Sequence, residues 1–161
     1  MLNNYEQEFC LTYHQIFGAF PNSSVKYHCR YRRGLSIYHS LSYKHRNNSG
    51  SYNVCIKIEN DYDNTFLCYG QILFSFYVIN KPFFFCKRFV ISKNKYSSLL
   101  KPMADIPNWS MYIDKYYQVV HRSTNDFVIF PCSFILCKSI FCPLDDEFLI
   151  CTPIELEQEH D

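Results

Sequence analysis

FLCYGQILFSFYVINKPFFFCKRFVI, residues 66 to 91, holds two runs rich in aromatic and β-branched residues, one on each side of Asn80, Lys81 and Pro82. Aromatic and β-branched side chains are favoured in strands, while Asn and Pro are typical of turns. The stretch therefore predicts a β-hairpin with its turn at Asn80-Lys81-Pro82. Gly70, inside the first run, predicts a bulge or a tight bend of the kind that helps a small barrel turn a corner.

The segments on both sides of this hairpin also predict strands. In SYNVCIKI, residues 51 to 58, Tyr52, Val54, Ile56 and Ile58 share one parity, which indicates a half-buried strand. The basic, aromatic stretch 27–46 predicts one or two strands that bend near Gly34. Four more short strands are predicted towards the C-terminus, namely YYQVV (116–120), DFVIF (126–130), LCKSIFC (136–142) and EFLICT (147–152).

Helix is a minor component of the prediction. Residues 3–17 predict one short helix, and residues 92–116, which include Pro102 and Pro107, predict a loop with a helical turn over 109–113. The chain has 161 residues, with 15 Phe, 14 Tyr and only 4 Gly, a composition that favours strands over a helical bundle. We therefore expect a mainly β fold, a small twisted barrel-like antiparallel sheet with one or two short helices.

This length predicts a single domain. We expect residues 1–24 to form an N-terminal extension, residues 25–155 to form one β domain, and residues 156–161 to be an acidic tail. From residue 9 to residue 58 the chain has seven Lys or Arg and no acid, and from residue 139 onwards it has seven acids and no Lys or Arg. This asymmetry indicates either an electropositive N-terminal face or two halves whose charges pair in the fold.

The nine cysteines do not follow a metal-binding pattern. Cys132, Cys137 and Cys142 recur every five residues, and an odd spacing turns successive strand side chains to opposite faces. No Cys-x-x-Cys occurs in the chain, and Cys often packs as a small hydrophobe. A second group has spacings that match no zinc pattern: Cys29, His39, His45 and Cys55. We expect free thiols, most of them in the core, and no metal.

No catalytic constellation is apparent, so the sequence predicts a protein that is not an enzyme and has no cofactor. Cys29 follows His28 directly, but neighbouring residues on a strand point to opposite faces, which argues against a nucleophile and base pair. The four glycines are isolated, so no phosphate-binding loop is present. The N-terminus lacks the pattern of a signal peptide and the apolar runs are too short to span a bilayer, so we expect an intracellular protein that does not engage membranes.

Parts of the chain resemble two known families. The order of segments in residues 37–58 and 68–89 resembles the accessory C-terminal region of CACTA-like (En/Spm-type) transposon proteins, and residues 126–153 are similar to the closing strands of bromo-adjacent homology domains. The residues that match the transposon pattern are Tyr38, His39, Ser49, Ser51, Tyr52, Tyr69, Gly70, Gln71 and Ile72. The resemblance implies a transposon-derived β-barrel that recognises a partner in the nucleus, such as a chromatin peptide or the element's own transposase.

Two functions remain open. The first is a non-catalytic protein-interaction module in which the exposed aromatic residues Tyr69, Trp109 and Tyr112 cage a methylated lysine, such as one in a histone tail, by cation–π attraction. The alternative is a nucleic-acid-binding accessory domain that uses the basic stretch 26–46. The tyrosines that would stack on bases are Tyr27, Tyr31, Tyr38 or Tyr43. Its phosphate-binding candidates are Lys26, Arg30, Arg32, Lys44 and Arg46. Because the net charge is only +1, we expect weak nucleic-acid binding.

Overall fold

The structure, a computed structural model, describes residues 5–43, 52–59, 65–100, 108–121 and 125–154. It confirms a mainly β fold with a curled antiparallel sheet and a few short helices. The helices are α1 (Glu6–Phe17), α2 (Tyr96–Leu99) and α3 (Trp109–Tyr116), and a 3₁₀ turn spans Cys132–Phe134. The strands are β1 (Tyr27–His28), β2 (Arg30–Arg33), β3 (Ser36–His39), β4 (Asn53–Glu59), β5 (Thr65–Val78), β6 (Lys81–Phe89), β7 (Gln118–His121), β8 (Phe127–Pro131), β9 (Ile135–Pro143) and β10 (Phe148–Ile154).

The large sheet curls until β7, at one end of its strand order, meets the residues that follow β6. Its strand order is β7-β10-β9-β4-β5-β6-β8, and β1 pairs with β5 beside this path. Residues 90–92 continue from β6 and return against β7, where Ile91 forms an antiparallel bridge with Val120. The Ser92 N–H also donates to the Val119 carbonyl oxygen at 2.8 Å. The predicted barrel-like shape is thus closed by a short contact between β6's extension and β7.

The hairpin of β5 and β6 is confirmed, but its turn lies one residue earlier than predicted. Val78 pairs with Lys81, so the two turn residues are Ile79 and Asn80, with φ of 48° and 61°. Positive φ at both central residues is the geometry of the two-residue turn that suits strand twist. Lys81 and Pro82 belong to β6 instead, because they pair with the last residues of β5.

The predicted bulge is present in β5 but not at Gly70. Gly70 pairs regularly with Val54 and Arg88, whereas the register with β6 shifts between Ile72 and Phe74. A Cβ built on Gly70 would lie 3.4 Å from Ile56 Cδ1 and from the Lys87 carbonyl oxygen. These distances are ordinary van der Waals contacts, so a side chain would meet its neighbours there without a clash. The placement of the bulge at Gly70 was wrong.

Both faces of the central strands are covered, so β4 is more buried than the predicted half-buried strand. Val54 and Ile56 join one cluster, while Cys55 between them joins another, as strand alternation requires. The cluster that contains Cys55 draws residues from β4, β5, β6, β7, β9 and β10, the six strands of the closed curl, and we call it the barrel interior. Its members are Cys55, Tyr69, Phe89, Val120, Cys137, Leu149 and Cys151.

The predicted N-terminal helix is confirmed as α1, and it packs onto the sheet. Phe9 and Tyr13 are its buried residues. The Phe9 ring lies 5.0 Å from the Phe74 ring and 5.3 Å from the Phe85 ring, both at steep edge-to-face angles. The extension expected over residues 1–24 therefore contributes a helix to the core of the β domain.

The basic stretch forms the predicted bend as a two-stranded ribbon of β2 and β3, which we call the basic ribbon. Gly34, with φ of 59°, lies in the turn between the two strands. Tyr31 and Tyr38 are opposite each other and face the sheet, where the Tyr31 ring lies 5.2 Å from that of Phe84. Residues 44–51, which include the rest of this basic stretch, lie outside the described residues.

The region predicted as a loop with one helical turn contains two helices among its described residues. α3 extends to Tyr116, three residues beyond the predicted turn, and α2 packs against it. The four C-terminal strands are confirmed as β7 to β10. Of the cysteines in this part of the chain, Cys132, Cys137 and Cys151 are buried and Cys142 is exposed.

Candidate functional site

The helix α3 displays a row of aromatic side chains along one side. Trp109, Tyr112 and Tyr116 are spaced three and four residues apart, which places them on the same face of a helix. Tyr112 is 57% exposed and Tyr116 is 45% exposed, while Trp109 is partly exposed. We call these three residues the aromatic stripe. Sequence reasoning predicted Trp109 and Tyr112 but missed Tyr116, although the spacing of the three residues was a signal for it.

Hydrogen bonds hold α3 to its surroundings from a side away from the stripe. One oxygen of the Asp114 carboxylate accepts from the Ser97 backbone N–H at 3.0 Å, and the other accepts from the Ser97 hydroxyl at 2.8 Å. The side-chain amide of Gln118 donates to the Asp114 carbonyl oxygen at 2.7 Å. These bonds fix α3 against α2 and the start of β7. The helix that carries the aromatic stripe is therefore held in position.

The stripe already has a cation beside it. The Lys115 ammonium lies 5.2 Å from the centroid of the Tyr116 ring, within the range of cation–π attraction. A ligand could displace the exposed Lys115 ammonium from the Tyr116 ring, because such contacts in solvent contribute only about 0.5–1 kcal/mol. The contact indicates that a positive charge is compatible with this surface.

Tyr69 does not belong to this surface, and the prediction that it is an exposed aromatic was wrong. Its side chain is 2% exposed and lies in the barrel interior with Cys55 and Cys151. Burial raises the pKa of the Tyr69 hydroxyl well above its usual value, with the neighbouring thiols Cys55 and Cys151 adding to the effect. A cage of Tyr69, Trp109 and Tyr112 therefore cannot form.

A second surface is the outward face of the basic ribbon. Arg30 is opposite His39 and Arg32 is opposite Ile37, and both arginines are exposed on the face away from Tyr31. Lys26, just before β1, is also exposed. Within the described part of the chain, no carboxylate lies within ion-pair distance of Arg30, Arg32 or Lys26. Lys44 and Arg46, the other two predicted phosphate contacts, lie outside the described residues.

Aromatic rings accompany these cations. The His39 ring stacks on the Tyr43 ring, with 4.3 Å between centroids and 4° between planes, and the His28 ring meets the edge of Tyr77 at 5.4 Å. Tyr31, by contrast, faces the core, and burial raises the pKa of its hydroxyl. Of the tyrosines predicted to stack on bases, Tyr31 and Tyr38 are thus packed inward.

Arg33 lies on the opposite side of β2 from Arg30 and Arg32, as the alternation predicts. Its Nη1 donates to the carbonyl oxygen of Ile135 at 2.7 Å and lies 3.5 Å from that of Cys132. Arg33 therefore joins the ribbon to the 3₁₀ turn and the start of β9.

The cysteines and histidines do not converge in the described part of the chain. No group of three or more His, Cys, Asp or Glu residues there could hold a metal ion. Cys55 lies in the barrel interior, a cluster that includes neither Cys29 nor His39. His45 lies outside the described residues. All nine cysteines fall within the described ranges, and none of them forms a disulfide there.

Comparison of the chain with family models, with curated proteins and with solved structures found no match. The resemblance to transposon proteins and to bromo-adjacent homology domains stays a prediction. Among the described residues, no helix is both long enough and apolar enough to cross a bilayer. What the geometry provides is a closed sheet that carries two separate surfaces, the aromatic stripe and the basic ribbon.

Proposed function

We propose that the protein is a non-catalytic protein-interaction module, and that the aromatic stripe binds a cationic peptide segment of its partner. The observation that carries this proposal is the exposure of Tyr112 and Tyr116 on a helix that is fixed against α2 and the start of β7 from another side. Aromatic residues are enriched at protein interfaces, because they bury a large area with few rotatable bonds. The Lys115 contact with Tyr116 supports a cationic ligand.

The partner class follows from this chemistry. A lysine or methylated lysine can sit over a tyrosine or tryptophan face, and desolvation between two rings strengthens the attraction. A histone tail or a transposase segment, the partners that the resemblance implies, would present such lysines. Binding to either would place the protein in the nucleus.

Trp109 gives this proposal a direct readout, because it is the only tryptophan in the chain. We would titrate the protein with a basic peptide carrying trimethyl-lysine and follow Trp109 fluorescence. We expect a saturable change, and a weaker one when glutamine replaces the trimethyl-lysine. Tyr112→Ala is expected to weaken binding roughly two- to fivefold, the loss of one exposed cation–π contact.

The matched control is Tyr77→Ala, which removes a similarly exposed tyrosine from β5. It should bind the peptide as the unmodified protein does. If the glutamine peptide binds equally well, or if Tyr77→Ala weakens binding as much as Tyr112→Ala, the stripe is not a cation-binding surface.

The basic ribbon supports a second candidate function, the binding of single-stranded nucleic acid. The specific observation is that Arg30 and Arg32 share one exposed face and have no carboxylate partner among the described residues. We would measure the affinity for an oligothymidylate over a range of salt concentrations by fluorescence anisotropy. Weak binding that fades near physiological salt is expected, since the net charge is close to zero.

Charge removal separates this candidate from the first. Arg30→Gln and Arg32→Gln should each lower the slope of log affinity against log salt by roughly 0.7, the value for one phosphate contact on a single strand. Lys115→Gln, which removes an exposed cation from α3, should leave the slope unchanged. Equal slopes in all three variants would show that the ribbon does not contact phosphates.

A further inference from the structure

Two cysteines meet on neighbouring strands inside the barrel. Cys55 on β4 and Cys137 on β9 are direct partners in the antiparallel register of these strands. Both side chains belong to the barrel interior, and a hydrogen bond joins their thiols. In the registers of the described strands, no other two cysteines are opposite one another. The sheet therefore singles out one pair among the nine cysteines.

This pair has the spacing that a disulfide requires. Opposed residues of antiparallel strands have Cα atoms about 5.5 Å apart when they are hydrogen-bonded to each other and about 4.5 Å apart when they are not. Disulfides join residues whose Cα atoms are roughly 4.4–6.8 Å apart, so either type of pair falls within the range. Because both thiols already lie on one face and contact each other, a bond between them requires rotation of side chains and no rearrangement of strands.

We propose that Cys55 and Cys137 form a redox-sensitive cross-link, a disulfide that joins β4 to β9 when the chain is exposed to a low-molecular-weight disulfide such as oxidised glutathione. This inference goes beyond the proposed peptide binding and does not rest on it. One protein thiolate attacks a sulfur of oxidised glutathione and releases a first glutathione, and the second protein thiolate attacks the resulting mixed disulfide and releases the other. The two cysteines lose two electrons and two protons, and the oxidised glutathione gains them as two thiols.

Burial controls when this reaction can take place. Cys55 is 0% exposed and Cys137 is 5% exposed. The hydrogen bond with Cys137, together with burial, raises the pKa of the Cys55 thiol well above its usual value, and the thiolate is the reactive form. Oxidation therefore requires the barrel to open, either before β10 has joined the sheet or during local unfolding. The cross-link would record the redox conditions that surround the open chain.

The disulfide would also close a long loop. Cys55 and Cys137 are about eighty positions apart along the chain, and the segment between them includes β5 to β8. A cross-link over a loop of this length restricts the unfolded chain and so favours the native state. The register between β4 and β9 shifts directly after Cys55, so the bond would fix the pairing next to an irregular position. We therefore expect the oxidised chain to unfold at a higher temperature.

The experiment compares the oxidised and reduced forms of the full chain. Reduced protein would be incubated with mixtures of reduced and oxidised glutathione in dilute urea, which promotes transient opening, and the remaining thiols would be blocked with iodoacetamide. Peptide mapping by mass spectrometry without reducing agent would locate the cross-link and distinguish it from glutathione attached to the exposed Cys142. We expect one linked pair of peptides, which contain Cys55 and Cys137, and a thermal midpoint about 5 °C or more above that of the reduced chain.

Two variants of the barrel interior provide a matched comparison. Cys137→Ala removes one partner, so we expect no intramolecular cross-link at Cys55 and the same thermal midpoint under oxidising and reducing conditions. Cys151→Ala removes another buried thiol of the same cluster, and it should keep both the cross-link and the rise in midpoint. The peptide map of the unmodified chain tests the proposal even if a variant does not fold.

The proposal would be overturned by a mixture of pairings, or by a single cross-link elsewhere, such as one between Cys86 and Cys132 in another core cluster. A chain that stays reduced at the most oxidising glutathione ratio, even in dilute urea, would contradict it as well. So would a Cys55–Cys137 disulfide that leaves the thermal midpoint unchanged. None of these results bears on peptide binding at α3, because neither cysteine lies on the aromatic stripe.

Discussion

Cys137 and Cys142 lie five residues apart on β9, and the strand turns their side chains to opposite faces. Cys137 points into the barrel interior, whereas Cys142 is exposed. Cys132 precedes the strand in the 3₁₀ turn and is buried in a different cluster, so the alternation does not extend to it. Burial raises the pKa of the Cys132 thiol to about 12 and that of Cys68 to about 11, because an apolar environment disfavours the thiolate.

These thiols should make the fold sensitive to alkali. A thiol in the unfolded chain ionises near pH 9, while Cys68 and Cys132 stay protonated in the native state up to about pH 11 and 12. Between these pH values the native state binds more protons than the unfolded state does. The contribution of these thiols to the free energy of unfolding is therefore constant below about pH 9 and falls above it. Each thiol contributes a slope of up to about 1.4 kcal/mol per pH unit.

Urea unfolding at pH 8, 9, 10 and 10.5 would measure this slope. Cys68→Ala is expected to make the fall with pH shallower, whatever its effect at pH 8, because one titrating thiol has been removed. Cys142→Ala, which changes a thiol at an exposed position of β9, is the control variant. A slope that is the same in Cys68→Ala and in the unmodified protein would contradict the burial of Cys68.

The hairpin of β5 and β6 is the element on which the rest of the sheet is built. β4 pairs along one side of it and β8 along the other, and β1 adds a short pairing near its turn. The turn itself is strained, because Ile79 has a φ of 48° and its branched Cβ is poorly suited to that conformation. Ile79 is also 92% exposed, so no packing offsets the strain.

Replacing this residue should therefore stabilise the protein. Ile79→Asn is expected to raise the free energy of unfolding by about 1 kcal/mol, since Asn tolerates the left-handed conformation far better than a β-branched residue. Thermal and urea unfolding would measure the gain. Leu35→Asn is the control, an equally exposed aliphatic residue at the turn of the basic ribbon whose φ is not positive. If both changes have the same effect, strain at Ile79 is not the cause.

The parts of the fold that the sequence predicts are those with a local signal. The hairpin, α1 and the four C-terminal strands follow from runs of apolar residues separated by turn residues. The sequence does not predict on which face of β5 the Tyr69 side chain lies. β5 is buried on both faces, and its sequence shows no alternation of polar and apolar residues that would distinguish them. Tyr116 was missed because α3 was expected to end at 113, which removed the third member of the stripe.

Local sequence patterns do not predict contacts between residues that are far apart in the chain. The bulge lies at Ile72–Phe74 because the pairing of β5 with β6 shifts there, and nothing in the neighbouring residues marks the position. The attachment of the basic ribbon to β9 requires Arg33 to meet Ile135, about a hundred positions away along the chain. Contacts of this kind depend on strand order, which a single sequence does not specify.

For the molecule as a whole, stability depends on the closure of the curled sheet. β10 lies between β7 and β9, and it supplies Leu149 and Cys151 to the barrel interior. Without β10, β7 would keep only its short contact with residues 90–92, and the barrel interior would be open to water. The C-terminal strand is therefore needed by parts of the chain far from it in sequence.

A chain that ends at residue 143 tests this dependence. We expect it to lose cooperative thermal unfolding and to associate, because two strand edges and an apolar interior become exposed. Size-exclusion chromatography and differential scanning calorimetry, with the full chain as reference, would measure both effects. A monomeric truncated protein with a sharp thermal transition would show that closure contributes little to stability.

The position of β10 also affects how the protein is made. On the ribosome, β4 to β9 leave in order and can pair locally, but the gap between β7 and β9 stays open until residues 148–154 have emerged. The nascent chain thus carries unpaired strand edges until β10 has been made, a period in which such edges attract other chains. Slow elongation at the codons for residues 144–154, or termination just before them, would reduce the yield of native protein more than the same event within the loops that precede β7.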